Sequence, residues 1–269
     1  MKFKAFLTDN GINLLEKRIL PALDKMGKIC HLYFTRDHAF FLHNLLNSDG
    51  VQSIAQFKKE SLFTDYRISS QNDDKIAFSI DLSLLHRALR SILAIYAESR
   101  DFNSNGYKSA VVQDVPISKP LSRADVQELQ LALEISQEMP ATLVKAPDLN
   151  LLQNFVDRMK HVGDVMGVTK ANGFRERANG VDGDGNLSAQ TRIERAVQRQ
   201  DAMTVQVSVK HFFKCLQYSS AKPDCAFYGI APQGACLIVI FQFFIPGTRQ
   251  TDKSISLHCR LPVLDPGSN

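Results

Sequence analysis

The sequence predicts an α+β fold of two similar domains, and three observations carry that expectation. A short β-patterned segment runs straight into an amphipathic helix at four places along the 269 residues; two of these units precede Pro116 and two follow Pro140; and the stretch between them opens with prolines. The composition, 44% hydrophobic and 22% charged, is that of an ordinary globular chain and excludes disorder, collagen and a membrane bundle. Thirty-two Lys and Arg against 28 Asp and Glu leave +4, too little to name a polyanionic partner from the total alone.

In the first unit Lys2 to Thr8 alternates as a strand, and Ile12, Leu15, Ile19, Leu23 and Met26 form one helical stripe, with Asp9 or Asn10 as cap. The second passes from Ile76–Ile80 through Asp81, with Asp81 or Ser83 as cap, to a helix with Leu85, Ala88, Leu89 and Ile92 inward. In the third, Ala141–Val144 precedes Pro147 and Asp148, and Leu152, Phe155, Val156 and Met159 share a face. The fourth joins Thr204–Ser208 to Phe212, Phe213 and Leu216. Further strands are expected at Ile29–Phe34, Ala39–Leu46, Val51–Phe57, Ser109–Val115, Gly163–Thr169, Asp224–Tyr228, Cys236–Ile245 and Ser254–Arg260, and a helix at Ser122–Ser136. The domains are read as 1–116 and 141–269, joined by a connector at 117–140, with a flexible loop at 170–201. The run Cys236–Ile245 is about half the length a bilayer demands and reads as a buried strand.

The basic residues follow the helices. Lys17, Arg18, Lys25 and Lys28 lie away from the first stripe, Arg87 and Arg90 oppose Leu85 and Leu89, and Lys210 and Lys214 share a ridge opposite Leu216. Only in the third helix do Arg158 and Lys160 flank the apolar stripe, offset by Asp148 and Asp157. One basic helix face is ordinary; several repeated ones point to a phosphate backbone held through salt-sensitive, sequence-independent contacts.

Catalytic and metal chemistry finds no motif. The five cysteines are widely spaced, never Cys-x-x-Cys, and suit free thiols in a reducing compartment. No His-Glu-x-x-His and no close Cys and His grouping is present. Asp182, Asp184 and Asn186 open like a calcium loop, but Leu187 and Ile193 stand where Gly and Glu belong. Gly183-Asp184-Gly185 is not set between a strand and a helix, so no nucleotide loop is read there. His211 beside Cys215 reads as helix surface next to a half-buried thiol rather than a catalytic pair. No cofactor, metal or catalytic residue is expected.

Taken in order, Met1–Lys4, Lys25–Leu32, Leu84–Arg90, Gln113–Ile117 and Phe243–Pro246 resemble the Hus-type subunit of the heterotrimeric nine-one-one checkpoint clamp, a relative of the PCNA sliding clamp. The resemblance runs end to end with gaps, and the tail Gly234–Asn269 is similar to the plant branch. It implies a DNA clamp fold: two domains, each of two βαβββ units, with basic helices lining a channel around double-stranded DNA. It further implies a non-enzymatic, nuclear and also cytoplasmic protein, assembled with the two other checkpoint-clamp subunits, loaded by a dedicated clamp loader, and serving damage signalling, repair, the cell cycle and meiosis. Carried over by position, Arg18, Lys25, Lys28, Arg87, Arg90, Arg158, Lys160 and Lys210 fall on channel helices; helical phase adds Lys214.

The chain departs from that pattern twice. Glu98–Lys108 is short and polar where the family supplies strands, and after Gly163–Thr169 a Gly-, Asn- and Arg-rich stretch reaches Asp201. By family comparison two strand pairs are missing, including the second domain's ring-closing edge strand. Because the flanks keep their register, we expect a splice variant or an imperfect gene model, with exposed sheet edges and impaired ring assembly. Two other readings stay open: a self-assembling PCNA-type replication clamp, and a small α+β enzyme with an unrecognised site.

Overall fold

The computed structural model of the chain describes residues 2–46, 50–102, 113–171 and 202–264. Strand β1 (Lys2–Leu7) enters helix α1, built of three consecutive segments, Asp9–Leu14, Leu15–Ile19 and Leu20–Asp24. Thr8 caps it, not Asp9 or Asn10: Thr8 keeps extended backbone, and its Oγ1 accepts from the Gly11 amide at 2.8 Å. The middle segment is wound as a π-helix, with the Leu20 amide donating to Leu15. Pro21 explains this, since its ring crowds the carbonyl one turn back and it has no N–H to continue an α-helical ladder. Leu15, Ile19, Leu23 and Met26 are buried as the stripe predicts, and Ile12 is half-buried.

Strands β2 (Ile29–Phe34), β3 (His38–His43) and β4 (Gln52–Lys58) follow, then a one-turn helix α2 (Lys59–Leu62), β5 (Phe63–Ser69), β6 (Ile76–Asp81) and α3 (Leu82–Phe102). A Cβ on Gly11 would lie 2.4 Å from the Leu62 carbonyl oxygen, so only glycine lets α1 approach α2 this closely. Asp81 caps α3, accepting from the amides of Ser83 at 2.9 Å and Leu84 at 3.2 Å. The connector forms α4 (Arg123–Ser136), opened by a reciprocal capping box between Ser122 and Asp125. The second half holds β7 (Val144–Lys145), α5 (Leu149–Met159), β8 (Val165–Ala171), β9 (Ala202–Ser208), α6 (Val209–Leu216) with a 3₁₀ turn Gln217–Ala221, β10 (Cys225–Ile230), β11 (Cys236–Gln242) and β12 (Ile255–Pro262).

Eight strands form one antiparallel sheet in the order β6-β2-β3-β4-β12-β11-β10-β7. The two halves of the chain meet inside it, where β4 pairs with β12 from Phe57↔Ile255 to Gln52↔Arg260. Pairs β1–β5 and β8–β9 form separate two-stranded sheets. Alternation along the strands assigns the two faces. Leu32, Phe34, Phe41, Phe57, Val239, Phe241 and Leu257 pack in one core with α1, α3, α5 and α6. Tyr33, Phe40, Leu42 and Ile54 point the other way and receive Val126, Leu129 and Leu133 of α4. The helices lie side by side, α3 on α1, α1 on the 3₁₀ turn that ends α6, and α6 on α5. At the seam of the halves, Ser53 Oγ and the Tyr218 hydroxyl share a buried hydrogen bond.

Several expectations are corrected. The strand of the third unit is only Val144–Lys145, and Phe155 is exposed instead of packed. Strand β3 stops at His43 and β11 at Gln242. Gln113–Val115 form no strand, while 109–112 lie outside the described residues. Helix α3 continues through Phe102 into the stretch read as a polar linker. Strand β5, not foreseen, completes the small sheet with β1. Cys215 is fully buried, and all five cysteines are free. The calcium-like loop, the glycine pair at 183 and 185, and the two stretches 103–112 and 172–201 lie outside the described residues.

Candidate nucleic-acid interface

The four-helix layer gathers the basic side chains that the sequence singles out, yet it treats them unequally. Lys25 and Lys28 are exposed where α1 ends and the chain turns into β2. Arg87 and Arg90 are exposed on α3, opposite buried Ala88 and half-buried Leu85 and Leu89. Between these groups runs a cleft of about 500 Å³ lined by Asp24, Ser83, His86, Arg87, Arg90 and Ser91. Its floor is fixed by hydrogen bonds: Ser83 Oγ donates to Asp24 at 3.0 Å, and His86 Nε2 donates to the Glu16 carbonyl at 3.0 Å. Arg90 Nε lies 3.8 Å from the largely buried Glu16 carboxylate.

Arg18 is engaged within the fold. Its Nε donates to the Ala221 carbonyl at 2.9 Å and a terminal nitrogen to that of Lys222 at 2.7 Å, with the guanidinium 5.0 Å from the centre of the Phe243 ring. Lys222 holds a left-handed backbone (φ 53°) that ends the 3₁₀ turn, which aims both carbonyls back at α1. This use of Arg18 has no local sequence signal, because its partners lie about two hundred positions away.

In the second half Arg158 is exposed near the end of α5. Lys160 pairs with Asp157, and its ammonium sits 3.5 Å from the Phe213 ring centre. Lys210 is exposed but lies 3.1 Å from the Asp164 carboxylate. Lys214 is half-buried in the last turn of α6, where its positive charge faces His43 and His211. Burial, and secondarily that charge, lowers both imidazoles, His43 to about 4. His43 also faces His31 and Asp24, and its Nε2 donates to the Gly27 carbonyl at 2.9 Å, closing the end of α1. Ser83, His86 and Ser91 join the basic residues in this cleft; their spacing with Arg87 along one helix is legible in the sequence, but the packing of α3 against α1 that makes the cleft is not.

Among the described residues no three of His, Cys, Asp and Glu converge where a metal ion could sit, and no helix is long and apolar enough to cross a membrane. The helix row carries exposed cations, while Asp81 and Asp148 serve as helix caps and Glu16, Asp157 and Asp164 face Arg90, Lys160 and Lys210.

Comparison with known proteins agrees with this architecture. Crystalline Proliferating Cellular Nuclear Antigen from Entamoeba histolytica superposes with a TM-score of 0.52 at 10% identity, covering 98% of both chains, which establishes a PCNA-like fold. The "Checkpoint protein hus1 homolog" of Dictyostelium discoideum is 24% identical over 242 residues, 83% of this chain and 88% of the relative. The sequence profile of the family described as Hus1-like protein matches residues 1–180 and 175–249. The chain belongs to the Hus1-like protein family.

Proposed function

We propose that this chain is one subunit of a heterotrimeric checkpoint clamp, a ring that encircles double-stranded DNA without regard to sequence and recruits signalling and repair factors. One observation supports the reading: a continuous antiparallel sheet, in which the two halves of the chain meet, backs the helix row α3, α1, α6 and α5, and each of these helices or its end bears an exposed cation. Residues 1–116 and 141–269 act as the two clamp domains, with 117–140 as connector. Its partners are the two other checkpoint-clamp subunits and a dedicated clamp loader, its workplace the nucleus as well as the cytoplasm, and its role non-enzymatic. Lys25, Lys28, Arg87, Arg90, Arg158, Lys160, Lys210 and Lys214 supply the channel charge, and Arg18 supports the helix row from within. The relative named for checkpoint function and the PCNA-like fold both support this choice.

Native mass measurement of the purified chain, alone and co-expressed with the two other clamp subunits, tests it. A one-to-one-to-one heterotrimer is expected. A stable ring made of this chain alone overturns the heterotrimer in favour of a replication-type clamp.

A further inference from the structure

We infer that α5 is a self-pairing surface: away from its clamp partners, this chain meets a second copy of itself through antiparallel contact of the two α5 helices about a two-fold axis. The inference goes beyond the ring reading. It is carried by one stripe of α5, on which two exposed apolar side chains stand between an acid at one end and a base at the other.

Helix α5 stands last in the row α3, α1, α6, α5, so one of its flanks has no neighbour in the row. It buries Val156 and leaves Leu151 69% and Phe155 49% exposed. These two lie one helical turn apart and form a single apolar ridge, which Val162, 79% exposed, prolongs into the turn after the helix. Contiguous apolar surface of this kind marks a contact with another molecule. Asp148 at the helix start and Arg158 in its last turn lie on the same stripe, and both are exposed.

The stripe is complementary to itself. Asp148, Leu151, Phe155 and Arg158 follow one another at intervals of three, four and three residues, so the spacing is the same read from either end. Laid antiparallel on its copy about an axis at the level of Gln153, Leu151 of one copy meets Phe155 of the other, and Asp148 meets Arg158, each contact being made twice. Both charges are open to this pairing. Arg158 is in no ion pair among the described residues, and Asp148 spends only its Oδ1 on the Asn150 and Leu151 amides. The neighbouring charges are already matched, Lys160 with Asp157 and Lys210 with Asp164, and the exposed Asn150 and Asn154 beside the stripe are neutral. Antiparallel contact also sets the two helix dipoles head to tail. Pairing covers Arg158, so a paired copy cannot present that cation to a phosphate.

Sedimentation velocity of the purified full-length chain, from about 1 to 100 µM, tests this; a contact of one helix on one helix is small, and a dissociation constant on the order of 10 µM is expected. Phe155→Glu, which puts two carboxylates into the apolar centre, should weaken the dimer by roughly a hundredfold or more. Arg158→Gln, and Asp148→Asn, which keeps an oxygen for the helix cap, should each weaken it by about threefold to tenfold. The two combined should cost no more than either alone, because both break the same pair. Leu131→Glu, on the exposed side of α4, should leave the dimer as it is. Circular dichroism melts check folding, and Phe155→Gln serves if the glutamate variant melts early. A chain that stays monomeric over the whole range overturns the inference, as does a dimer that survives Phe155→Glu, one lost equally in Leu131→Glu, or strictly additive effects of the two charge variants. Each of these failures leaves the heterotrimer reading standing, whereas a homotrimer overturns both.

Discussion

His86 Nε2 donates to the Glu16 carbonyl oxygen at 3.0 Å, and Pro21 is the reason that oxygen is available. In the π segment the Leu20 amide reaches back five residues to Leu15, so the next donor in line for Glu16 would be residue 21. Proline has none, and a side chain from α3 fills the vacancy. Replacing His86 by Ala should therefore cost about 1 to 2 kcal/mol. In a Pro21→Ala background the restored amide can take the same carbonyl, and the cost of losing His86 should shrink. A double-mutant cycle by urea denaturation measures this; strictly additive effects would show that the two positions are unrelated.

Arg18 ties α1 to the end of α6 through two carbonyls, 2.9 Å and 2.7 Å away, and stacks on Phe243. Arg18→Ala should destabilise the chain by about 2 to 3 kcal/mol, since these are hydrogen bonds from a charged, partly buried donor. Arg18→Lys should recover little, because a single ammonium cannot reproduce the planar fork. The salt dependence of duplex binding should stay that of the unsubstituted chain. Loss of slope without loss of stability would return Arg18 to the phosphate surface.

The range of each interaction decides how far the sequence discloses it. Helical stripes such as Leu15, Ile19, Leu23 and Met26, and a cap such as Asp81, are set within one or two turns, and the local pattern reveals them. Thr8 was passed over as a cap because two equally good capping residues follow it. Phe155 breaks the pattern because helical phase says which residues share a face, not whether a strand covers it. Strand β5 was hidden by its charges, Asp65 and Arg67, which pair with each other on the solvent side. The division of the cations was illegible for the same physical reason: whether Lys160 or Lys25 has a carboxylate beside it depends on packing between helices, not on the helix that carries it.

Acid should weaken the fold through two histidines. His43 and His258 are 3% and 2% exposed, and burial pushes each imidazole down to about 4, with Lys214 and His31 adding to the push at His43 and Arg260 at His258. Unfolded, each returns to about 6.5, so between those values the unfolded chain binds more protons. The stabilisation is whole above pH 6.5 and drains away as pH falls toward 4, by roughly 3 kcal/mol per histidine. Among the described residues neither ring nitrogen of His258 meets a full hydrogen-bond partner, the Ser136 backbone only partly offsetting the downward push of burial, and its cross-strand neighbours are Ile54 and Ile240. His258→Leu should thus remove roughly 2 to 3 kcal/mol of the stability lost between pH 7 and 4.5. Urea titrations at the two pH values decide it, and an unaltered loss would rule His258 out as a source.

The two places where the sequence departs from the family pattern should prove to be junctions from which coding segments were excised. The family profile matches in two pieces that meet at residues 175–180, close to the second stretch. On either side of it the β8–β9 ladder stays in register up to Ala171↔Ala202, as it would if an insert had been lifted cleanly from between its ends. Past the first stretch, Ile117 bridges to Ile80 on β6, so the chain is on that sheet edge there. Each missing piece should encode two strands and a turn, about 12 to 20 codons in frame. Sequencing the gene and its transcripts between codons 97 and 109, and between 168 and 175, should recover them. Uninterrupted exons at both places would mean that the family's strand pairs were lost in evolution, and that this chain closes its sheets without them.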